Sequence, residues 1–307
     1  MNNRLFLILC LSLLCQRAYA FELELNSIRV SFSKPQTLHS LIYSPEITNN
    51  TKINFELEPI NNERVGVFFD LNGIEIGYAV DFIDDKQQTK TEDFIFSYKS
   101  LKHSRISLNY QILEGFNTNA LNLLNEPQSQ STFLSKTKST KIEIFGIHNF
   151  YTFFGESLFE HFFLNRPRLS QSNKVGLSLA GGWSYKHLSL ESDDNLIFSP
   201  NYLNANIQTI NEVKAESIDF ALGPLLSVSL KNNIHLFAEL KAGKGYFKNL
   251  DGDSQLKRSG NEEIYAVGGG VSWTSSSKKT LFLLRTWFKK GRHVETFFGD
   301  ASIIYFF

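Results

Sequence analysis

Apolar residues alternate with small or polar residues along several segments of this sequence, and this period of two limits its fold more than any other feature. In residues 64–71 the apolar set is Val65, Val67, Phe69 and Leu71. In residues 74–82 it is Ile74, Ile76, Tyr78, Val80 and Phe82. Successive side chains of a strand point to opposite faces, so both segments are predicted strands with one apolar face. Asn72 and Gly73 lie between them and predict a tight hairpin, because both residue types tolerate positive φ.

The same alternation recurs in later segments, at residues 105–112, 175–185, 265–273 and 301–307. The face opposite the apolar one carries mostly Gly, Ala and Ser with an occasional charge. A soluble β-sandwich also alternates, but its polar face meets bulk water and should favour long charged side chains. Small residues suit a confined, curved interior, and 28 Phe with 11 Tyr suit strands that face lipid. We therefore expect an all-β protein, a transmembrane antiparallel β-barrel.

Counting the alternating segments predicts about 12 strands, which run over residues 52–58, 64–71, 74–82, 93–99, 104–113, 141–150, 174–186, 216–229, 234–243, 263–273, 280–288 and 294–307. An even number places both ends of the barrel on one side of the membrane. Short links after most even strands predict periplasmic turns. Long polar stretches predict outer loops, at residues 114–140, 187–215 and 244–262.

Residues 151–173 are too long for the short turn expected at their position. Their apolar residues are spaced more like a short amphipathic helix than a strand: Phe153, Phe154, Leu158, Phe159, Phe162 and Phe163. We predict a short helical insert near residues 151–172, at the rim of the barrel or against its lumen. The alternative is that the strand at 141–150 runs on through Phe154.

The first 20 residues have the pattern of a signal peptide. A basic start precedes an apolar run at residues 5–14, and Ala18 and Ala20 are small where a signal peptidase needs small residues. This pattern predicts cleavage after Ala20. We therefore expect a location in the bacterial outer membrane. Lipidation at Cys15 is the alternative. Cleavage would remove both cysteines and change the formal charge from zero to −2, so we expect no disulfide and no nucleic-acid partner. Residues 21–50 would form an N-terminal periplasmic lead or a partial plug, and residues 51–307 the barrel.

Charged residues on the non-apolar faces are the candidates for the barrel lumen: Arg64, Asp70, Glu75, Asp81, Arg105, Glu239, Lys241 and Arg285. Charges of both signs on an inward face usually form salt-bridge networks that fill a small barrel. We therefore expect a filled interior and a structural role, with a narrow diffusion channel as the alternative.

No catalytic, metal-binding or cofactor motif stands out from this pattern. The seven histidines are not at metal-ligand spacing, and no His-Glu-x-x-His occurs. A lipid-modifying enzyme of the acyl hydrolase type is the second candidate function, and its nearest sequence feature is His187-Leu188-Ser189. We expect no cofactor and no metal.

Two stretches carry a resemblance to a known family. Residues 59–67 read Pro-Ile-Asn-Asn-Glu-Arg-Val-Gly-Val and lead into the hairpin at 71–78, and residues 110–116 read Tyr-Gln-Ile-Leu-Glu-Gly-Phe. Together they resemble a family of bacterial outer-membrane proteins known as domain of unknown function 4421. The resemblance implies an outer-membrane barrel and no particular activity.

The C-terminus resembles the assembly signal of outer-membrane barrels, a final aromatic residue with apolar residues at alternate positions before it. Here these are Ile303, Tyr305 and Phe307. The resemblance implies barrel-assembly machinery and periplasmic chaperones as partners, together with outer-membrane lipid and lipopolysaccharide around the folded protein.

Overall fold

The computed structural model describes residues 24–43, 53–59, 63–82, 89–101, 103–123, 135–154, 159–163, 165–167, 169, 174–191, 212–250, 259–291 and 294–307. Side chains are described for most of these residues. The predicted signal peptide lies outside the described part.

The described residues form thirteen strands: β1 (Leu25–Tyr43), β2 (Ile53–Pro59), β3 (Arg64–Leu71), β4 (Ile74–Asp81), β5 (Lys90–Leu101), β6 (Ser104–Leu123), β7 (Ser135–Phe154), β8 (Lys174–Glu191), β9 (Glu212–Ser229), β10 (Ile234–Asn249), β11 (Ser259–Thr274), β12 (Thr280–Lys290) and β13 (Val294–Phe306). A four-residue helix, α1 (Phe159–Phe162), lies between β7 and β8. A 3-10 turn (Lys231–Asn233) joins β9 to β10.

The strands close into an antiparallel barrel, because β1 pairs with β13 as well as with β3. Twelve strands, β1 and β3–β13, form the wall. The thirteenth, β2, is short and pairs with residues 39–43 of β1 on one side and with residues 116–123 of β6 on the other. The predicted number of wall strands is therefore correct, but the wall contains β1 in place of the strand predicted at 52–58, which is β2.

The N-terminal segment is the main correction. Residues 25–43 were expected in a periplasmic lead or partial plug, but they form the wall strand β1 and pair with β13 from Ser27↔Phe306 to His39↔Val294. The physical reason is that β13 would otherwise leave an unpaired backbone edge, and closure satisfies those groups. The strand predicted at 52–58 exists as β2, outside the ring of twelve.

The loop predictions at 114–140, 187–215 and 244–262 were too long. Strand β6 continues to Leu123, β7 begins at Ser135, and β8 continues to Glu191. Polar side chains do not prevent this extension, since strand pairing uses the backbone groups alone.

Alternation divides the side chains of the wall into two faces. Leu240 and Val267 are directly opposite each other on β10 and β11, and their side chains are 60% and 49% exposed on the outward face. The neighbouring Glu239 and Lys241 point inward and are buried. An outward surface of this kind recurs around the ring, and its large exposed residues include Val30, Phe69, Tyr78, Leu177, Phe220, Leu284 and Ile303. Among the described residues, no helix has the length and apolar character that crossing a membrane requires.

Among the described residues of the insert predicted near 151–172, only Phe159–Phe162 are helical. Strand β7 runs through Phe154, as the alternative interpretation held, and α1 is a single turn. The described residues 159–163 and 165–167, which we call the lumen segment, contact inward-facing side chains of the wall. The insert therefore lies against the lumen.

Candidate functional site

The eight charged residues predicted to face the lumen lie on inward-facing positions of their strands. Arg64, Glu75, Glu239, Lys241 and Arg285 are buried, and Asp70, Asp81 and Arg105 are half-buried. They do not form one site. The structure distributes them over separate contact groups at different heights in the barrel.

Glu75 is the centre of the first group. Its Oε1 accepts hydrogen bonds from Arg29 (3.1 Å) and Arg105 (2.9 Å), and its Oε2 accepts from Lys99 (2.6 Å) and Asn165 (3.1 Å). A buried carboxylate is stable only when charge and hydrogen bonds compensate its desolvation. Glu75 has three cations and an amide around it, so it is fully compensated.

The ends of the Glu75 group extend to neighbouring strands. Lys99 also binds Asp70 (3.1 Å), whose second oxygen accepts from the backbone N–H of Gly73 in the β3–β4 turn (3.0 Å). The Arg29 guanidinium lies over the Phe68 ring at 3.7 Å, which is a cation–π arrangement. The group therefore joins β1, β3, β4, β5 and β6 to the lumen segment, which supplies Asn165.

A second group lies across the lumen on β10, β12 and β13. Arg285 forms a buried ion pair with Asp300, whose carboxylate also accepts from Ser302 (2.9 Å). Glu239 binds Lys241 (2.8 Å) and accepts from the indole N–H of Trp287 (2.8 Å). These contacts pair each of the four charges with a neighbour of opposite sign.

Arginines of both groups hold the lumen segment through its backbone. Arg105 donates to the carbonyl of Phe163 (3.2 Å), and Arg285 donates to the carbonyl of Phe162 (3.0 Å). These bonds matter because carbonyl groups at the end of a one-turn helix have no partner within the helix. The wall therefore satisfies the polar backbone of the segment inside the barrel.

His161 fixes the other side of the lumen segment. Its Nδ1 lies 2.8 Å from the carbonyl oxygen of Arg166, and its Nε2 lies 2.5 Å from the hydroxyl oxygen of Ser272 on β11. A carbonyl can only accept, so Nδ1 carries the proton and, in a neutral ring, Nε2 accepts from Ser272. The ring also packs against His235 with centroids 4.5 Å apart. Two hydrogen bonds, one donated and one accepted, therefore hold the imidazole in place.

An aromatic cluster packs inside the barrel at this level. Phe162 is completely buried and lies 4.3 Å, centroid to centroid, from Phe237. Phe163 stacks on Phe150 at 4.5 Å and reaches Trp287 at 6.3 Å. Burial of a phenylalanine side chain contributes about 1.5–3 kcal/mol. Two such residues anchor the segment as a packed part of the barrel interior.

A cavity of about 270 Å³ lies in the part of the lumen nearer the long connections. We call it the vestibule. Its charged walls include two ion pairs, Arg64 with Asp93 and Lys289 with Asp219 (2.6 Å), and Asp219 also accepts from Ser184 (2.6 Å). Its apolar walls are Ile95, Ile144, Leu188, Phe247, Ile264 and Phe298.

Several lumen residues were missed by the sequence reasoning. Arg29 was overlooked because its segment was interpreted as a lead, although it alternates with Ile28 and Val30. Lys99 lies on the face opposite Phe94, Phe96 and Tyr98 of a predicted strand, and Asp219 lies between Ile218 and Phe220, so the period of two alone could have identified both. Asn165 and His161 had no such signal, because their placement depends on the path of the lumen segment.

The C-terminal residues lie where the alternation places them. Ile303, Tyr305 and Phe307 share the outward face and are 51%, 45% and 67% exposed. The backbone N–H of Phe307 donates to the carbonyl of Asn26 at 3.2 Å, which ties the C-terminus to the start of β1.

Among the residues that the structure describes, those considered for hydrolase chemistry are on the outside of the wall. His187 and Ser189 are on outward-facing positions of β8, and His187 Nδ1 lies 3.7 Å from Glu216, which accepts a hydrogen bond from Tyr185 (2.9 Å). In the part of the chain that the structure describes, no three His, Cys, Asp or Glu side chains group closely enough to hold a metal ion.

No family model and no curated protein matches the sequence, so the resemblance at residues 59–78 and 110–116 stays a prediction. Solved structures are similar in overall shape only. The outer-membrane protease OmpT of Escherichia coli has 8% identity and a TM-score of 0.42 over 94% of this chain and 98% of its own. The β domain of the Bordetella autotransporter BrkA has 10% identity and a TM-score of 0.42, over 92% and 99%. The translocator domain of NalP from Neisseria meningitidis has 11% identity and a TM-score of 0.40, over 96% and 95%. Similarity at this level transfers neither activity nor site residues to this chain.

Proposed function

We propose that this protein is a bacterial outer-membrane β-barrel whose lumen is closed by its own β7–β8 connection, and that it does not act as a permanently open diffusion channel. Between a structural role and a narrow diffusion channel, a closed lumen favours the structural role. The observation that carries the proposal is the complete burial of Phe162 inside the barrel, with its carbonyl bound by Arg285.

The outward surface supports the membrane location. Exposed side chains such as Leu240, Val175 and Leu177 would meet water at a large free-energy cost in a soluble protein, whereas lipid accommodates them. The short turns at Asn72-Gly73 and 231–233 would then lie on the periplasmic side, together with both ends of the wall. The long connections would face outward, and the lumen segment would close the periplasmic mouth.

The same placement supports the proposed partners. Lipid and lipopolysaccharide would surround the apolar belt, and the outward Tyr305 and Phe307 at the end of β13 would be available to the barrel-assembly machinery before β13 pairs with β1. Periplasmic chaperones would bind the unfolded chain.

The experiment compares two proteins in planar lipid bilayers. One is the wild type, and in the other a short Gly-Ser turn replaces residues 156–171. Heat-modifiable gel mobility of both preparations first shows that each is folded. We expect little or no steady current from the wild type, and a steady conductance from the replaced variant because the aromatic cluster no longer fills the lumen. Equal steady conductance from the two folded proteins would overturn the proposal.

A further inference from the structure

One lysine of the vestibule, Lys186, has no direct bonding partner among the residues that the structure describes. Lys186 lines the cavity on an inward-facing position of β8, and it forms no hydrogen bond or ion pair with any residue that the structure describes. The carboxylates of Asp219 and Glu262 act on it only at longer range. An ammonium group inside a protein is stable only if something compensates its charge.

The carboxylates around the vestibule are already engaged. Asp93 pairs with Arg64, and Asp219 binds both Lys289 (2.6 Å) and Ser184 (2.6 Å). Glu216 accepts from Tyr185 at 2.9 Å, and Glu262 also has an interaction partner. Arg64 and Lys289 are therefore neutralised by their own partners, whereas Lys186 faces the cavity with no carboxylate of the described residues bonded directly to it.

The remaining walls are largely apolar. Ile144, Leu188 and Ile264 come from β7, β8 and β11, and Phe247 and Phe298 add two aromatic rings from β10 and β13. A cavity of about 270 Å³ exceeds the roughly 150 Å³ that accommodates benzene in a protein interior, and it lies just below the usual range for small-molecule sites. It can hold a small ligand of which one end is charged and the rest is apolar.

We propose that the vestibule binds a small singly charged organic anion, with a carboxylate or a similar group on Lys186 and an aliphatic or aromatic body against the apolar walls. A single free ammonium compensates one negative charge. The neighbouring carboxylates Asp219 and Glu262 repel a second one, which disfavours small dianions. The inference does not depend on whether the lumen segment closes the barrel, since no described residue of that segment lines the vestibule.

The test is a titration of the folded protein in micelles by isothermal calorimetry, with hexanoate as the probe. 1-Hexanol is the uncharged analogue, and inorganic phosphate is the small dianion. We expect saturable binding of hexanoate, which tightens from acetate through butyrate to hexanoate by about two- to fourfold for each CH₂ group buried. 1-Hexanol and phosphate should each bind at least about tenfold more weakly, because 1-hexanol lacks the negative charge and phosphate lacks the apolar body.

Three variants separate the site from general effects of charge and detergent. Lys186→Gln should weaken hexanoate binding by about tenfold or more, and Lys186→Arg should retain binding because it keeps the charge. Lys248→Gln removes the same charge from an exposed, outward-facing position of β10 and should leave binding unchanged. Heat-modifiable mobility shows that each variant is folded.

Three results would overturn the inference. They are the absence of saturable hexanoate binding to the folded wild type, equal binding by wild type and Lys186→Gln, and phosphate or 1-hexanol binding as tightly as hexanoate. A failure here would leave the closed barrel intact, since that proposal is measured by conductance and not by ligand binding.

Discussion

The guanidinium of Arg285 donates a hydrogen bond of 3.0 Å to the carbonyl oxygen of Phe162, which lies 123 positions earlier in the chain. The same guanidinium pairs with Asp300 on the adjacent strand β13, and its Nε lies 3.1 Å from that carboxylate. One side chain of the wall therefore holds both a neighbouring strand and the lumen segment.

Removal of the Arg285–Asp300 pair should loosen the lumen segment without breaking the wall. We expect the double variant Arg285→Met with Asp300→Asn to fold, because neither partner leaves an unpaired buried charge. It loses the bond to Phe162, so the segment should open more often. The measurement is trypsin cleavage between Arg168 and Leu169, the site that remains because Arg166 precedes Pro167. Cleavage as slow as in the wild type would mean that the aromatic contacts alone hold the segment.

Neutralisation of Glu75 should be strongly destabilising. Glu75→Gln leaves Arg29, Lys99 and Arg105 close together without their shared carboxylate, and breaking a buried ionic group in this way costs about 3–5 kcal/mol. The measurement is the free energy of unfolding in urea, with the protein reconstituted in lipid vesicles.

Asp70→Asn is the matched control for Glu75→Gln. Asp70 contacts only one of the three cations, Lys99, and it is half-buried, so we expect a smaller loss of about 1 kcal/mol. Equal effects of the two substitutions would contradict the central position of Glu75.

A charge in the middle of the outward apolar face should impair insertion into lipid. Leu240 is 60% exposed and directly opposite Val267, and we expect Leu240→Arg to lose about 2–4 kcal/mol of folding free energy in vesicles. Lys248→Arg on the same face of β10 is the control and should be neutral, because the position is already charged. If the two variants fold equally well, the outward face does not contact lipid.

A charge at the C-terminal residue should affect assembly before any activity. Phe307 is 67% exposed and lies in register with Ile303 and Tyr305. We expect Phe307→Asp to reduce the amount of folded, heat-modifiable protein in the envelope, and Phe307→Leu to retain most of it. Refolding of purified Phe307→Asp in detergent should stay close to the wild type. A refolding defect of the same size would point to lost packing and not to lost recognition by the assembly machinery.

The faces of the wall could be predicted residue by residue. Glu239 and Lys241 were assigned to the lumen from their alternation with Leu240, and both are buried there. Arg29 and Lys99 carry the same signal. Arg29 was missed because residues 21–50 were interpreted as a lead, and Lys99, at the end of the strand predicted at 93–99, was left out of the lumen candidates. The contacts of Asn165 with Glu75 and of His161 with Ser272 could not be predicted, since they join segments 90 and 111 positions apart.

The sequence by itself determined that the chain forms strands and which face of each strand is apolar, because the direction of a side chain on a strand depends only on its position in a local repeat of two. The tertiary structure decided that β1 closes the ring, that β2 lies outside it, and that the lumen segment folds inward. These outcomes depend on pairing between distant segments, where unpaired backbone edges and buried charges of the whole barrel must be satisfied together.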